Sequence, residues 1–355
     1  MDIKYFNIHN IVKFKINDAQ KLILKDLFGD PFEEYSNYKS EEIAEENLDL
    51  IFNICTKIDK KIGCYILDDK YYIDQGYIYT NDSYKIAKWS IEIINKNQKT
   101  YILNIKPNRI ARLFISGFFI DFFIQYILTK KGYSIIHSSG VSQNGKSYLF
   151  SGRGGSGKTS IALHIINTGE SFQFLGDDFI IIKNGLTLPY ITPLNLFTYN
   201  INSSIKAKFN KKQKFSFILK NFVFKLSFGY AKFFTRFNPI EHFFDRISPG
   251  AELSNIYILI PTNQENVTEI DIIPLEKREI IKHLVLNLKM DSWYIPKYFI
   301  QYGFLFPNDE YSRYWQNYEN TLIENLPESK NYSKIIVPKS VAWQKLFNTI
   351  KKEFL

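Results

Sequence analysis

A chain of 355 residues, 45% of them hydrophobic, has enough apolar side chain for one large or two medium cores, which excludes a disordered protein. Its net charge of +9 permits an acidic, nucleic-acid or membrane-surface partner, but the heavy use of Lys, Asn, Ile, Phe and Tyr typical of an AT-rich genome accounts for it more simply. Two cysteines, Cys55 and Cys64, are too few for a disulfide framework and lack metal-ligand spacing, so buried thiols in a reducing cytoplasm are expected.

Residues 1–105 read as a small β-rich domain without a catalytic constellation. Residues 3–8 and 11–16 alternate as strands around His9-Asn10. Residues 40–55 read as a helix, with Ser40 as cap and Glu41 and Glu42 in its first turn. Short strands follow at 63–67, 70–73 and 76–79, then a hairpin from 89–94 and 100–105. Pro107 opens a helix that runs to about Lys131 and is apolar on more than one side. Its segment 113–128 is the most membrane-like of the chain, yet Asp121 interrupts it and it falls short of the roughly 20 residues of a span. Met1-Asp2-Ile3-Lys4 lacks the apolar run of a signal peptide, so a cytoplasmic protein is expected.

The next stretch organises the rest. A strand over 133–136 leads to His137, and Tyr148, Leu149 and Phe150 suit a buried strand. Residues 152–159 then complete the pattern G-x-x-x-x-G-K-[ST]. Gly152, Arg153, Gly154, Gly155, Ser156 and Gly157 form a loop whose glycines let backbone N–H groups turn onto phosphate oxygens. Lys158 can reach the β- and γ-phosphates, Thr159 can hold Mg²⁺, and Ser160 lies in the first helical turn, where the helix N-terminus adds positive potential. Ile161, Ala162, Leu163, Ile165 and Ile166 form that helix's apolar face, and Gly169 is placed to cap it. Asp177 and Asp178 follow between the apolar runs 172–175 and 179–182, nineteen positions after Lys158. Buried carboxylates demand metal, hydrogen bonds or cations; the plain alternative is an Asp-Asp turn between two strands.

His137-Ser138-Ser139-Gly140-Val141, a Gly145-Lys146 turn, the glycine loop, the short helix and Gly176-Asp177-Asp178 together resemble the catalytic core of HPr kinase/phosphorylase and its relatives, among them kinases of ribosomal-peptide precursors. The wider fold group includes ATP-dependent phosphoenolpyruvate carboxykinase. The resemblance covers about residues 133–182. It implies an α/β fold with a phosphate-loop core of this type in a catalytic domain over 106–355, preceded by the small β-rich domain 1–105, which could bind substrate. It implies Asp177 as general base on a serine hydroxyl, Asp178 as partner of Mg²⁺, and His137 as the histidine that precedes the loop. Two departures stand out. The glycine-rich signature downstream of the Asp pair has no counterpart, and Arg153-Gly154 replace a common Asp-Ser. The first speaks against HPr itself as substrate and against dephosphorylation.

A parallel-type sheet is expected from Ser134 onward. Residues 190–199 are a strand candidate around Pro193. Residues 203–236 form a basic insertion with nine Lys and Arg, no acid and interleaved phenylalanines. It reads as an amphipathic insertion with a solvated face, as a dock for an acidic partner, or as a nucleic-acid or membrane surface. Arg246, in a loop before a confident strand at 255–260, could bring a guanidinium to the γ-phosphate or anchor its loop through Asp245 or Glu252. Residues 267–273 pair with that strand, 275–288 form a helix, 291–333 are rich in Trp and Tyr, 334–337 form a strand and 340–354 a last helix.

The expected function is an ATP- and Mg²⁺-dependent kinase acting on a hydroxyl, most simply Ser or Thr of a peptide or protein. A small-molecule kinase and a nucleotide-binding regulatory module without transfer remain open. An RNA-associated NTPase would want a distant acidic motif that is absent. No DNA partner and no transmembrane segment are expected, and a homo-oligomer is compatible with the resemblance.

Overall fold

The computed structural model describes residues 2–20, 30–167, 171–197, 214, 217–218, 234–264, 267–292, 294–338, 341 and 343–352. The expectations on Gly169 and on most of the basic stretch 203–236 lie outside these residues. Contacts divide the chain into two units: Met1–Tyr133 with Lys289–Thr321, and Ser134–Leu288 with Leu322–Leu355. The boundary expected near residue 105 lies within the first unit. The architecture is mixed α/β on two large mixed sheets.

In the first unit, β1 (Asp2–Ile8) and β2 (Val12–Asp18) form a hairpin whose turn, His9-Asn10, has positive φ at both residues, 53° and 60°. β3 (Lys39–Ser40), β4 (Leu50–Ile54), β5 (Tyr65–Leu67), β6 (Tyr71–Asp74), β7 (Tyr77–Tyr84), β8 (Ala87–Lys96) and β9 (Thr100–Pro107) complete a nine-stranded sheet in the order β3-β1-β2-β4-β9-β8-β7-β6-β5. The helix expected over 40–55 is not there. Its second half is β4, parallel to both β2 and β9, and only Glu45–Asn47 make a 3₁₀ turn. Ser40 and the glutamates do look like a helix start, but Leu50, Ile51 and Phe52 are all buried, as a central parallel strand requires. The helix expected from Pro107 also starts later. Pro107 closes β9 opposite Trp89, Asn108 Oδ1 accepts from Ala111 N at 2.8 Å, and the chain then turns through a 3₁₀ segment and a π segment (Ser116–Ile120) into α1 (Asp121–Lys130).

The second unit opens with β10 (Ser134–Gln143), which runs past His137 instead of ending there. Asn144 and Gly145, at φ 51° and 74°, reverse it into β11 (Lys146–Ser151). After α2 (Lys158–Asn167) come β12 (Gln173–Gly176), β13 (Phe179–Lys183) and β14 (Leu186–Leu188). β15 (Leu194–Phe197) and β16 (Phe234–Phe237) pair with each other apart from the main sheet. β17 (Ala251–Thr262), β18 (Asp271–Pro274) and α3 (Lys277–Asp291) follow. The chain returns to the first unit for α4 (Pro296–Leu305), and α5 (Tyr314–Asn325) leads to β19 (Asn331–Pro338) and α6 (Trp343–Lys351).

The eight-stranded sheet is mixed, not parallel. β10 is antiparallel to β11, β12 and β13: a tight hairpin joins it to β11, and the crossover through α2 returns β12 and β13 to its other edge; only β11–β17 and β17–β19 run parallel. β18 pairs with β19, not with β17, since β17 already has β19 on that side. One face of α2 (Ile161, Ala162, Ile165) joins Phe150, Tyr257 and Phe174 in the core beneath the candidate site. No helix among the described residues is long and apolar enough to cross a membrane.

Candidate active site

β11 brings buried Tyr148, Leu149 and Phe150 up to the glycine loop. At its end Ser151 Oγ donates to the His137 carbonyl at 2.8 Å, tying the end of β11 to the body of β10. Gly152 has φ 152°, and a Cβ there would lie 2.7 Å from both the Leu259 carbonyl and Ser156 Oγ, so only glycine fits. Gly155 and Gly157 are also at positive φ, whereas a Cβ on Gly154 or Gly155 would meet open space. Ser156 N donates to Arg153 O at 3.0 Å to close the turn, and Ile161 N to Gly157 O at 2.9 Å starts α2. The Lys158 ammonium, buried, donates back to the Gly152 carbonyl at 2.6 Å.

Asp177 is 4% exposed and faces the first turn of α2. Its carboxylate accepts from Thr159 Oγ1 at 2.9 and 3.1 Å and from Ser139 Oγ of β10. Burial pushes its pKa above the usual carboxylate range, against the lowering effect of the two hydroxyls and the Lys158 charge. Asp177 and Asp178 do not lie in one extended strand. Gly176 (φ 149°) and Asp178 (φ 67°) bend the chain between β12 and β13. The alternation of faces ends at that bend, and it is Asp177 that meets Thr159. The half-buried Asp178 is fixed through its carbonyl, which accepts from Ser138 N at 3.1 Å. The Asp-Asp turn and the polar site thus coexist.

The His137 ring packs edge-on to Phe179 at 5.6 Å, and burial, then the Lys158 and Arg153 charges, hold its pKa well below the usual value. It is a neutral imidazole beside the loop. Arg153 Nη1 donates at 3.2 Å to both the carbonyl and Oδ1 of Asn287. Arg246 is engaged elsewhere. Its Nε and Nη2 donate to the Phe172 carbonyl at 3.2 and 3.1 Å. Phe172 precedes β12 and Asp177 follows it, a separation of roughly 16 Å of extended chain. The expected reach to a γ-phosphate is therefore not the arrangement found, and Glu252 pairs instead with Lys330 at 2.6 Å.

Three residues of the site escaped the sequence reading. Ser139 holds Asp177. Ser151 and Asn287 tie the loop to β10 and α3: Asn287 Nδ2 lies 3.1 Å from Ser151 Oγ, 3.3 Å from His137 O and 3.4 Å from Gly152 O. A signal did exist for Asn287, an amide among Leu284, Val285 and Leu288 on a buried helix face.

Among the described residues no three His, Cys, Asp or Glu side chains cluster as a metal cage. One hydroxyl and one carboxylate at hydrogen-bond distance beside a glycine loop do suit Mg²⁺, which keeps waters and takes substrate phosphate oxygens as its other ligands.

No protein-family model matches the chain, and no curated protein matches it in sequence. Among solved structures it is similar to the Hpr(Ser) kinase/phosphatase from Coxiella burnetii, at 11% identity and a TM-score of 0.29, over 62% of this chain and 90% of that one. At that score the overlap assigns neither fold nor function.

Proposed function

We propose that the chain is an ATP- and Mg²⁺-dependent kinase that transfers a γ-phosphoryl group to a hydroxyl, most simply a Ser or Thr of a peptide or protein. The observation that carries the proposal is the meeting of Asp177 with Thr159 beside Lys158 and the glycine loop. Phosphoryl transfer asks chiefly for positioning and charge stabilisation, and this set supplies both. The loop N–H groups cradle the phosphates, with Gly154 and Gly155 leaving them room. Lys158 exchanges the Gly152 carbonyl for phosphate oxygens. Thr159 and Asp177 would hold Mg²⁺, which when bound would neutralise charge on the nucleotide phosphates. That assignment moves Asp177 from base to metal partner and leaves Asp178 as the carboxylate that takes the proton from the acceptor hydroxyl. His137 stays neutral and shapes the wall, and Arg246 supports β12.

The test is radiolabelled transfer from ATP to Ser/Thr peptides, alongside nucleotide binding read as thermal stabilisation. Transfer that requires Mg²⁺ and Lys158 supports the proposal. Binding without transfer to any hydroxyl acceptor would leave a regulatory nucleotide-binding module, which needs only Lys158, Thr159 and Asp177. No stabilisation by millimolar ATP, GTP or pyrophosphate would end both readings.

A further inference from the structure

The nine-stranded sheet has a step. β6 pairs with β7 only as far as Tyr71↔Thr80, while β7 continues beside β8 to Tyr84. Among the described residues no strand pairs with residues 81–84 on the side away from β8. Ladder alternation turns the backbone groups of Asn81 and Ser83 to this open edge. The Ser83 N–H is capped by Asp82 Oδ1 at 2.8 Å, which leaves the Asn81 N–H and the Ser83 carbonyl to a newcomer.

A concavity of about 610 Å³ lies at the step, within the first unit. The register Asn81↔Ser90↔Lys106 and Ser83↔Lys88 sets Asn81, Ser83, Lys88, Ser90 and Lys106 on one face. Lys88 and Lys106 are exposed diagonal neighbours, and among the described residues neither ammonium has a hydrogen-bond or ion-pair partner. Diagonal neighbours on a sheet lie within reach of long side chains, so the two ammonium groups bring like charge to one place. The acids nearby are committed. Asp82 is paired by Lys297 and by Lys70 at 4.0 Å and accepts from Tyr298 Oη at 3.0 Å, and buried Glu92 takes the Asn104 amide. The concavity therefore presents uncompensated positive charge, neutral hydrogen-bonding side chains and an open strand edge.

We infer that this step docks an acidic polypeptide segment in extended form. Its carboxylates meet Lys88 and Lys106, its side-chain and backbone polar groups meet Asn81, Ser83 and Ser90, and its backbone lies along the β7 edge for about four residues. Single-stranded nucleic acid fits less well, because Trp89, the aromatic residue that lines the concavity, is 3% exposed and spends its Nε1–H on Tyr298 Oη at 3.0 Å, so it offers no face for base stacking. The inference stands apart from phosphoryl transfer, since docking is read without nucleotide and a chain that transfers nothing would still dock.

Fluorescence anisotropy of the full chain, without nucleotide, tests it against three labelled probes: an Asp/Glu-rich peptide, a Lys-rich peptide of equal length and U-rich RNA. The acidic peptide should bind best, lose affinity as salt is added, and weaken about tenfold or more in the double variant Lys88→Glu, Lys106→Glu. Both side chains are exposed, and an unchanged thermal midpoint will show that the variant is folded. Absence of acidic-peptide binding, tighter binding of the RNA or the Lys-rich peptide, or unchanged affinity in the folded double variant would overturn the inference.

Discussion

Each unit lays a network of polar side chains across its strands, and the two networks differ in kind. In the first unit, Asn17 Nδ2 donates to Asn53 Oδ1 and Asn53 Nδ2 to Asn104 Oδ1, both at 2.7 Å, and Asn104 passes the chain on to Glu92. Each member stands directly opposite the next in the register of β2, β4, β9 and β8. Regular backbone makes such a ladder, and every step is a side chain meeting its cross-strand neighbour. In the second unit, Ser139, Thr159, Asp177, Ser151 and Asn287 come from a strand, a helix start, a bend, a strand end and a distant helix, and they converge on backbone that only glycine can adopt at Gly152. A polar network that follows register holds a sheet together. One that gathers at irregular backbone has room to bind something, and there the conformational constraint on glycine marks the site.

The largest effect that would sharpen this contrast is on transfer. Asp178→Asn should lower phosphoryl transfer by about 10²- to 10⁴-fold with ATP affinity close to wild type, as removal of a general base does. Asp177→Asn should instead lose Mg²⁺-dependent nucleotide binding, read by thermal shift with and without Mg²⁺. The opposite pair of phenotypes would restore the roles that the family resemblance implies.

Next come the two networks themselves. Asn287→Leu and Asn104→Leu should each cost about 1–3 kcal/mol in urea unfolding, because each strands hydrogen-bonding partners. Only the former should also weaken nucleotide binding. A loss of ATP affinity in Asn104→Leu as large as in Asn287→Leu would break the distinction drawn here.

Within the loop, Gly152→Ala should destabilise by more than 1 kcal/mol, since its Cβ would lie 2.7 Å from two oxygens at a left-handed φ, whereas Gly154→Ala should stay within about 0.5 kcal/mol. Ser139→Ala should cost about 1 kcal/mol in stability, from the loss of one hydroxyl on Asp177, so that Gly154→Ala is the smallest effect expected. Unfolding midpoints measure all three.

Much of this was legible in the residues. Glycine spacing announces the tight loop that precedes Lys158 and Thr159, because such a turn needs glycine's backbone freedom at fixed offsets. Apolar patterning announces β1, β2, β8, β9 and β11, by alternation or, in β11, by a continuous run; His9-Asn10 closes its hairpin as expected, whereas the turn expected at Gly145-Lys146 falls one residue earlier, at Asn144-Gly145. Local chemistry is enough there, since period, turn conformation and glycine freedom are properties of a few consecutive residues.

Other features were decided only by the tertiary structure. Residues 50–54 became a central strand despite a good helix start upstream, because β2 and β9 pair with both its edges and its side chains are buried. β18 went to β19 because β17 was already paired. The bend at Gly176 and Asp178, which turned Asp177 rather than Asp178 onto Thr159, follows from how β12 and β13 both pair with β10. Arg246 sits at the wrong end of β12 to reach the loop, and Asn287 arrives from 135 positions beyond Gly152. In each case the partner lies far along the chain. Which distant neighbour wins depends on the burial and hydrogen bonding of the whole sheet, and no local pattern encodes that.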